Sequence, residues 1–136
     1  MKPLLLLVLA TAAAAAAADA TRSIWDGIYS SEQAARGKKA YLADCAECHG
    51  ENLRGIDDAS PLVGQIFRKK WDGKSVGRLI DVTRRTMPTD SPGTLSRQVC
   101  TDLVAYLLSV NGFPAGKTDL APDAADLRQI LIEPKK

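Results

Sequence analysis

The residues of this chain best suited to chemistry stand together as Cys45-Ala46-Glu47-Cys48-His49. Two thiols separated by two residues can each add across one vinyl group of a haem, and the imidazole that follows comes out under the iron. This is the sequence form of covalent c-type haem attachment. A neutral imidazole placed there serves as the proximal ligand and leaves the opposite axial face to be filled from elsewhere. Histidine and methionine are the common strong ligands. His49 is the only histidine, and of the two methionines Met1 belongs to a segment that reads as an export signal, so the candidate for the distal face is Met87. Gap filling in the core is the other role open to Met87.

The thiols have other conceivable uses. Zinc held by Cys45, Cys48, His49 and Cys100 has four ligands of acceptable type. Adjacent Cys48 and His49 make awkward tetrahedral neighbours, however, and zinc leaves the Met87-Pro88 segment unexplained. A thioredoxin-like pair calls for alternating strands and helices around the thiols, and that pattern is missing.

The chain that must position these residues begins with an export signal, residues 1–20. Lys2 is a minimal positive region, Pro3 to Ala18 is uncharged, and Ala18-Asp19-Ala20 fits a small-x-small cleavage site after Ala20. The uncharged run is shorter than the ~20 residues of a membrane span and rich in alanine, so the mature chain is expected to carry no span. Export puts it where thiols oxidise unless chemically occupied, and haem attachment occupies two of the three. Residues 21–136 suffice for one domain and not for two. A net charge of +2 favours neither nucleic acid nor a membrane surface as partner. Aromatic residues make up only 5% of the chain, so a bound haem would supply apolar bulk that the core otherwise lacks.

Residues 21–30 read as an extended lead-in whose Trp25 and Tyr29 pack against the domain. Ser30 caps a helix running to about Ala43, with Gln33 in the reciprocal position of a capping box. Ala34, Gly37, Tyr41 and Cys45 share a face of it and deliver the attachment turn to the haem edge. Gly37, costly inside a helix by about 1 kcal/mol, points to close approach by another helix. From Gly50 to Lys74 the recurring Gly and Pro break any period and read as a loop around a cofactor. Leu62, Val63, Ile66 and Phe67 are expected to line the apolar side of the pocket. The Ser60-Pro61-Leu62 segment is suited to offer a backbone carbonyl to the free ring nitrogen of His49. The indole N–H of Trp71 is suited either to a haem propionate or to ordinary packing.

Ser75 caps a second helix through about Arg85, with Val76, Leu79, Ile80 and Thr83 on one side. It must stop before Pro88, which drives Met87 into an extended conformation and lets its thioether turn inward. Arg68, Lys69, Lys70, Arg84 and Arg85 are solvated charges, propionate partners or a docking rim for an acidic partner. Ser96 starts the last long helix. Val99, Leu103, Tyr106, Leu107 and Val110 form its apolar face, crossing the first helix near Gly37 and ending at Asn111-Gly112. Cys100, at the edge of that face, reads as a semi-buried inert thiol, with a disulfide to another copy as the alternative. Leu120, Leu127, Ile130 and Ile132 in the tail suggest that it folds back over the domain.

In order along the chain, Cys45-Ala46-Glu47-Cys48-His49-Gly50, Pro61-Leu62-Val63-Gly64, Thr86-Met87-Pro88 and Leu103-Val104-Ala105-Tyr106-Leu107-Leu108 resemble a class I monohaem cytochrome c. The stretches Ile24-Trp25-Asp26-Gly27-Ile28-Tyr29 and Asn111-Gly112-Phe113-Pro114-Ala115-Gly116 are similar to small periplasmic cytochromes associated with quinoprotein dehydrogenases. The resemblance implies an all-α fold of three main helices and long loops around one covalent haem, with the first and last helices crossing. It also implies that Pro61 supplies the carbonyl to His49 and that Met87 lies on the distal side. Cys100 departs from it, a tyrosine or another core residue being usual there. The expected function is single-electron transfer in the periplasm, from a dehydrogenase such as one of the quinoprotein type, toward a terminal oxidase or reductase, without enzymatic activity of its own. An iron with two strong protein ligands suits a change of oxidation state, and a thioether ligand raises its potential. A weakly held Met87 would instead open the sixth position to small gases or peroxide.

Overall fold

The computed structural model describes residues 22–136, and the expected export signal, residues 1–20, lies outside them. The described residues contain five α-helices and no strand: α1 (Ser31–Asp44), α2 (Ala46–His49), α3 (Gly64–Trp71), α4 (Val76–Thr86) and α5 (Arg97–Val110). No helix among them is long and apolar enough to cross a membrane. The all-α architecture with three main helices, α1, α4 and α5, is the one expected.

The lead-in is tighter than an extended strand. Ser23 and Asp26 form a capping box around the short 3-10 turn Ile24–Asp26. Trp25 packs on Phe113 with ring centroids 4.9 Å apart and tilted by 48°, and donates Nε1–H to the Glu133 carbonyl at 3.1 Å, while Tyr29 Oη donates to the Phe113 carbonyl at 2.6 Å. Both aromatic residues therefore do the packing expected of them.

Ser30 caps α1, its Oγ accepting the Gln33 N–H at 3.0 Å. The reciprocal half of the box does not form, because the Gln33 side chain is wholly buried and must find partners inside. Its Nε2 donates to Asp102 Oδ1 at 3.0 Å and to the Leu120 carbonyl at 2.9 Å, and its Oε1 accepts the Leu120 N–H at 2.7 Å. The first helix is thus tied to the last and to the tail at one buried amide.

The crossing of α1 and α5 is close because Gly37 has no side chain. A Cβ there would sit 1.8 Å from the Asp102 carbonyl oxygen, so any other residue forces the helices apart. Tyr41 and Tyr106 continue the contact, ring centroids 5.5 Å apart. Helix α5 is buried from Cys100 to Leu108, well beyond a single apolar stripe. Helices α1 and α4 both pack on it, and the tail crosses it where Arg97 Nε–H donates to the Pro122 carbonyl at 2.7 Å. Cys100 is accordingly fully buried rather than semi-buried, out of reach of a second copy.

The segment 50–74 corrects the expectation of an unbroken loop, since residues 64–71 form α3. This separates two neighbours expected on one pocket wall. Successive helical residues point about 100° apart, so Phe67 is buried in the core while Ile66 is 58% exposed. The tail does fold back, with Leu120, Leu127, Ile130 and Ile132 all buried.

Candidate functional site

Helix α1 runs directly into the attachment turn. Cys45 closes α1, its N–H donating to the Tyr41 carbonyl at 2.9 Å, and at the same time opens the single turn α2 that carries Cys48 and His49. Gly50 follows at φ 76°, ψ 150°, a left-handed conformation that suits glycine and turns the chain away at once. Tyr41 Oη donates to the Gly50 carbonyl at 2.6 Å, so the residue after His49 is pinned by the helix before it. The Gly55 and Ile56 N–H groups then donate to the His49 and Cys48 carbonyls at 2.8 and 3.0 Å, folding the following loop back under the turn.

His49 is buried, and its Nδ1 lies 2.8 Å from the Ser60 carbonyl oxygen. A carbonyl can only accept, so Nδ1 carries the proton and Nε2 keeps a free lone pair for a metal. The group expected in this role is Pro61. The structure puts it one residue earlier, because it is the Ser60 carbonyl that meets the ring, while Pro61 lines a cleft of about 480 Å³ with Arg54, Val63, Gly64, Gln65 and Ile66.

The loop carrying Ser60 is held from a distance by Asn111, a residue that the sequence presents only as the end of α5. Its buried side chain donates to the Leu62 and Leu107 carbonyls at 3.0 and 2.8 Å and accepts the Gly64 N–H at 3.0 Å. Asparagine beside Gly112 is an ordinary helix stop, so the sequence carried no signal for this clamp.

Among the described residues the three cysteines are free thiols: Cys48 exposed, Cys45 half-buried, Cys100 buried. Burial first, then the neighbouring Asp44, pushes the Cys45 thiol up to about 11, and burial raises Cys100 as well. A thiol so placed is protonated at neutral pH and poorly suited to disulfide exchange. No group of three or more potential ligands among the described residues converges as a metal cluster, so the zinc arrangement of Cys45, Cys48, His49 and Cys100 has no geometric support.

Met87 follows α4 as its C-cap, in extended backbone at φ −124°, ψ 147°, and is half-buried. Trp71 is buried, with its ring 6.4 Å from that of Phe67 and Lys74 Nζ 5.9 Å from its centroid. It borders a second cleft of about 260 Å³ with Lys70, Lys74, Arg78 and Val82. Neither Met87 nor Trp71 makes a hydrogen bond or ring contact with the attachment turn, whereas Cys45, Cys48, His49 and the Ser60-Pro61 segment form one unit. Arg68, Lys69, Lys70, Arg84 and Arg85 are exposed and make no salt bridge among the described residues.

These residues fit a covalent haem: two free thiols on one turn, a buried imidazole with its coordinating nitrogen fixed by tautomer, and a thioether in an extended segment. Comparison with known proteins agrees. The family model described as cytochrome c oxidase, cbb3-type, subunit III matches residues 32–107. Among solved structures, the sulfane dehydrogenase SoxCD from Paracoccus pantotrophus is similar, with a TM-score of 0.53 and 25% identity over 82% of this chain. The chain spans 60% of the length of the SoxCD chain that it matches. No curated protein sequence matches.

Proposed function

Starting from the fact that this chain belongs to the cytochrome c family described as cytochrome c oxidase, cbb3-type, subunit III, and carries a covalent c-type haem for electron transfer, we propose that it is a carrier with His49 and Met87 as its axial ligands. Cys45 and Cys48 form the two thioether links, and His49 binds through Nε2. The Ser60 carbonyl holds the His49 tautomer and orientation and raises the basicity of the ligating nitrogen. Met87 completes the coordination from the end of α4. When bound, the haem supplies a one-electron ferric/ferrous couple. His49 and Met87 together would leave the iron no open position, which favours electron transfer over substrate chemistry.

The mature carrier is residues 21–136, exported to the periplasm after cleavage behind Ala20. Its donor is a periplasmic dehydrogenase, of the quinoprotein class or of the kind represented by the sulfane dehydrogenase SoxCD, and its acceptor a terminal oxidase or reductase. Trp71 is the residue best suited to meet a propionate. The single observation that carries this reading is the 2.8 Å contact from His49 Nδ1 to the Ser60 carbonyl on a turn with two free thiols.

The test is export in a host competent for haem attachment. One haem mass on the protein, with a long-wavelength band of thioether-to-ferric-iron charge transfer that Met87→Ala abolishes, is the expected result. Ready carbon monoxide binding by the ferrous wild type, without that band, would overturn the His/Met assignment.

A further inference from the structure

We infer that Asp81 is a positioning residue for Met87, the point through which the C-terminal tail holds α4 and so fixes the thioether at the iron. This rests on the assignment of Met87 as the distal ligand.

A helix leaves its first N–H groups without internal partners, and in α4 the tail takes them. The Val76 N–H donates to the Ile130 carbonyl at 2.9 Å and the Gly77 N–H to the Leu127 carbonyl at 2.8 Å, while the Ser75 cap accepts from Arg78 at 3.1 Å. Just ahead of the helix, Gly73 donates to the Ile132 carbonyl and Ile132 donates back to the Lys74 carbonyl, each at 2.9 Å.

One turn further on, Asp81 gathers the remaining polar ties. It accepts from Arg97 Nη1 of α5 at 2.7 Å and from Arg128 Nη2 of the tail at 3.1 Å. Arg97 also donates to the Pro122 carbonyl, so one carboxylate links three segments.

Beyond Asp81 the polar contacts of α4 are internal. Thr83 and Thr86 hydroxyls donate to the Leu79 and Val82 carbonyls at 2.8 Å, and the Met87 N–H donates to Thr83 at 3.0 Å. Arg84, Arg85 and Thr86 are exposed. The end of α4 is therefore placed by the rigidity of the helix, by its packing on α5 through Leu79 and Ile80, and by its polar anchors at residues 76–81. Loosening those anchors costs Met87 its position while leaving the attachment turn, held by α1 and the loop that carries Ser60, as it was.

The experiment is an imidazole titration of the ferric, haem-loaded full protein, followed by absorbance, since imidazole binds iron only where the thioether has let go. Asp81→Asn should tighten imidazole binding by about fivefold, the scale of two partly exposed ion pairs. Arg128→Ala, whose side chain is 80% exposed and dispensable to the core, should tighten it about twofold.

In a Met87→Ala background the same substitutions should change imidazole affinity by less than about twofold, because there is no thioether left to position. An unchanged affinity in the wild-type background, or an equal shift with and without Met87, would overturn the role of Asp81. If Met87→Ala alone left imidazole affinity and the charge-transfer band untouched, the ligand assignment itself would fall, whatever Asp81 does.

Discussion

The His49 side and the Met87 side of this molecule are built in opposite ways. The attachment turn is organised largely by residues near it in the chain: Tyr41 holds Gly50, Ser60 holds His49, and the turn itself closes α1. Met87 depends on α4, and α4 is anchored by Arg97 and, above all, by residues 127–132, the latter remote in sequence. A site assembled from neighbours survives distant changes, whereas one assembled from remote segments inherits the stability of every tie along the way.

The largest effect tests the local side. Cys45→Ser with Cys48→Ser should abolish covalent haem, read as the missing added mass and colourless protein. A coloured product with its usual mass gain would dissolve the contrast altogether. Gly37→Ala comes next, because a Cβ 1.8 Å from the Asp102 carbonyl oxygen must push α1 and α5 apart. The expected cost is about 3 kcal/mol by denaturant unfolding, and it should weaken both sides of the iron together.

Met87→Ala should separate them. Covalent haem remains while the midpoint potential falls on the order of 0.1 V, a fraction of the ~0.8 V range that axial ligands span, measurable by redox titration. Asn111→Ala acts on the histidine side in turn. It removes the hydrogen bonds that hold the Leu62 and Gly64 backbone and should cost about 2 kcal/mol, leaving the Leu62 carbonyl without its partner. The charge-transfer band should persist, since the loss is remote from α4.

The smallest effect is in acid. Hydrogen bonds from Arg97 and Arg22 hold the Asp81 and Asp126 carboxyls below the usual carboxylate range. In the unfolded chain these groups protonate near pH 3.9, before they do so in the folded one. Their contribution is therefore complete above about pH 4 and declines as pH falls toward the depressed folded values. A melting temperature that is flat from pH 7 to 5 and falls below about 4, with the thioether band lost before the haem environment at His49 changes, would sharpen the comparison. Asp126→Asn should flatten part of that decline.

Much of this was legible beforehand because it follows from spacing. Three helix starts were written as Ser30, Ser75 and Ser96, each of which caps its helix as its position demands. Gly37 announced a close crossing, and Pro88 announced where α4 must end. The readings that missed concerned what long-range partners would do. Gln33 left its capping box for the tail because a buried amide takes partners wherever the interior offers them. Ile66 and Phe67 parted because α3 formed inside a stretch rich in glycine and proline, where tertiary contacts override a weak local signal.

The sequence by itself determined the haem chemistry, since bond lengths put two thiols and an imidazole on one turn whatever else the chain does. It also left Met87 as the one methionine besides Met1. Only the tertiary structure decided that Ser60 rather than Pro61 faces His49, that Asn111 clamps their loop, and that the tail anchors the helix leading to Met87. Those choices depend on which distant backbone groups remain unpaired once the helices have packed, and unpaired groups are a property of the assembled core.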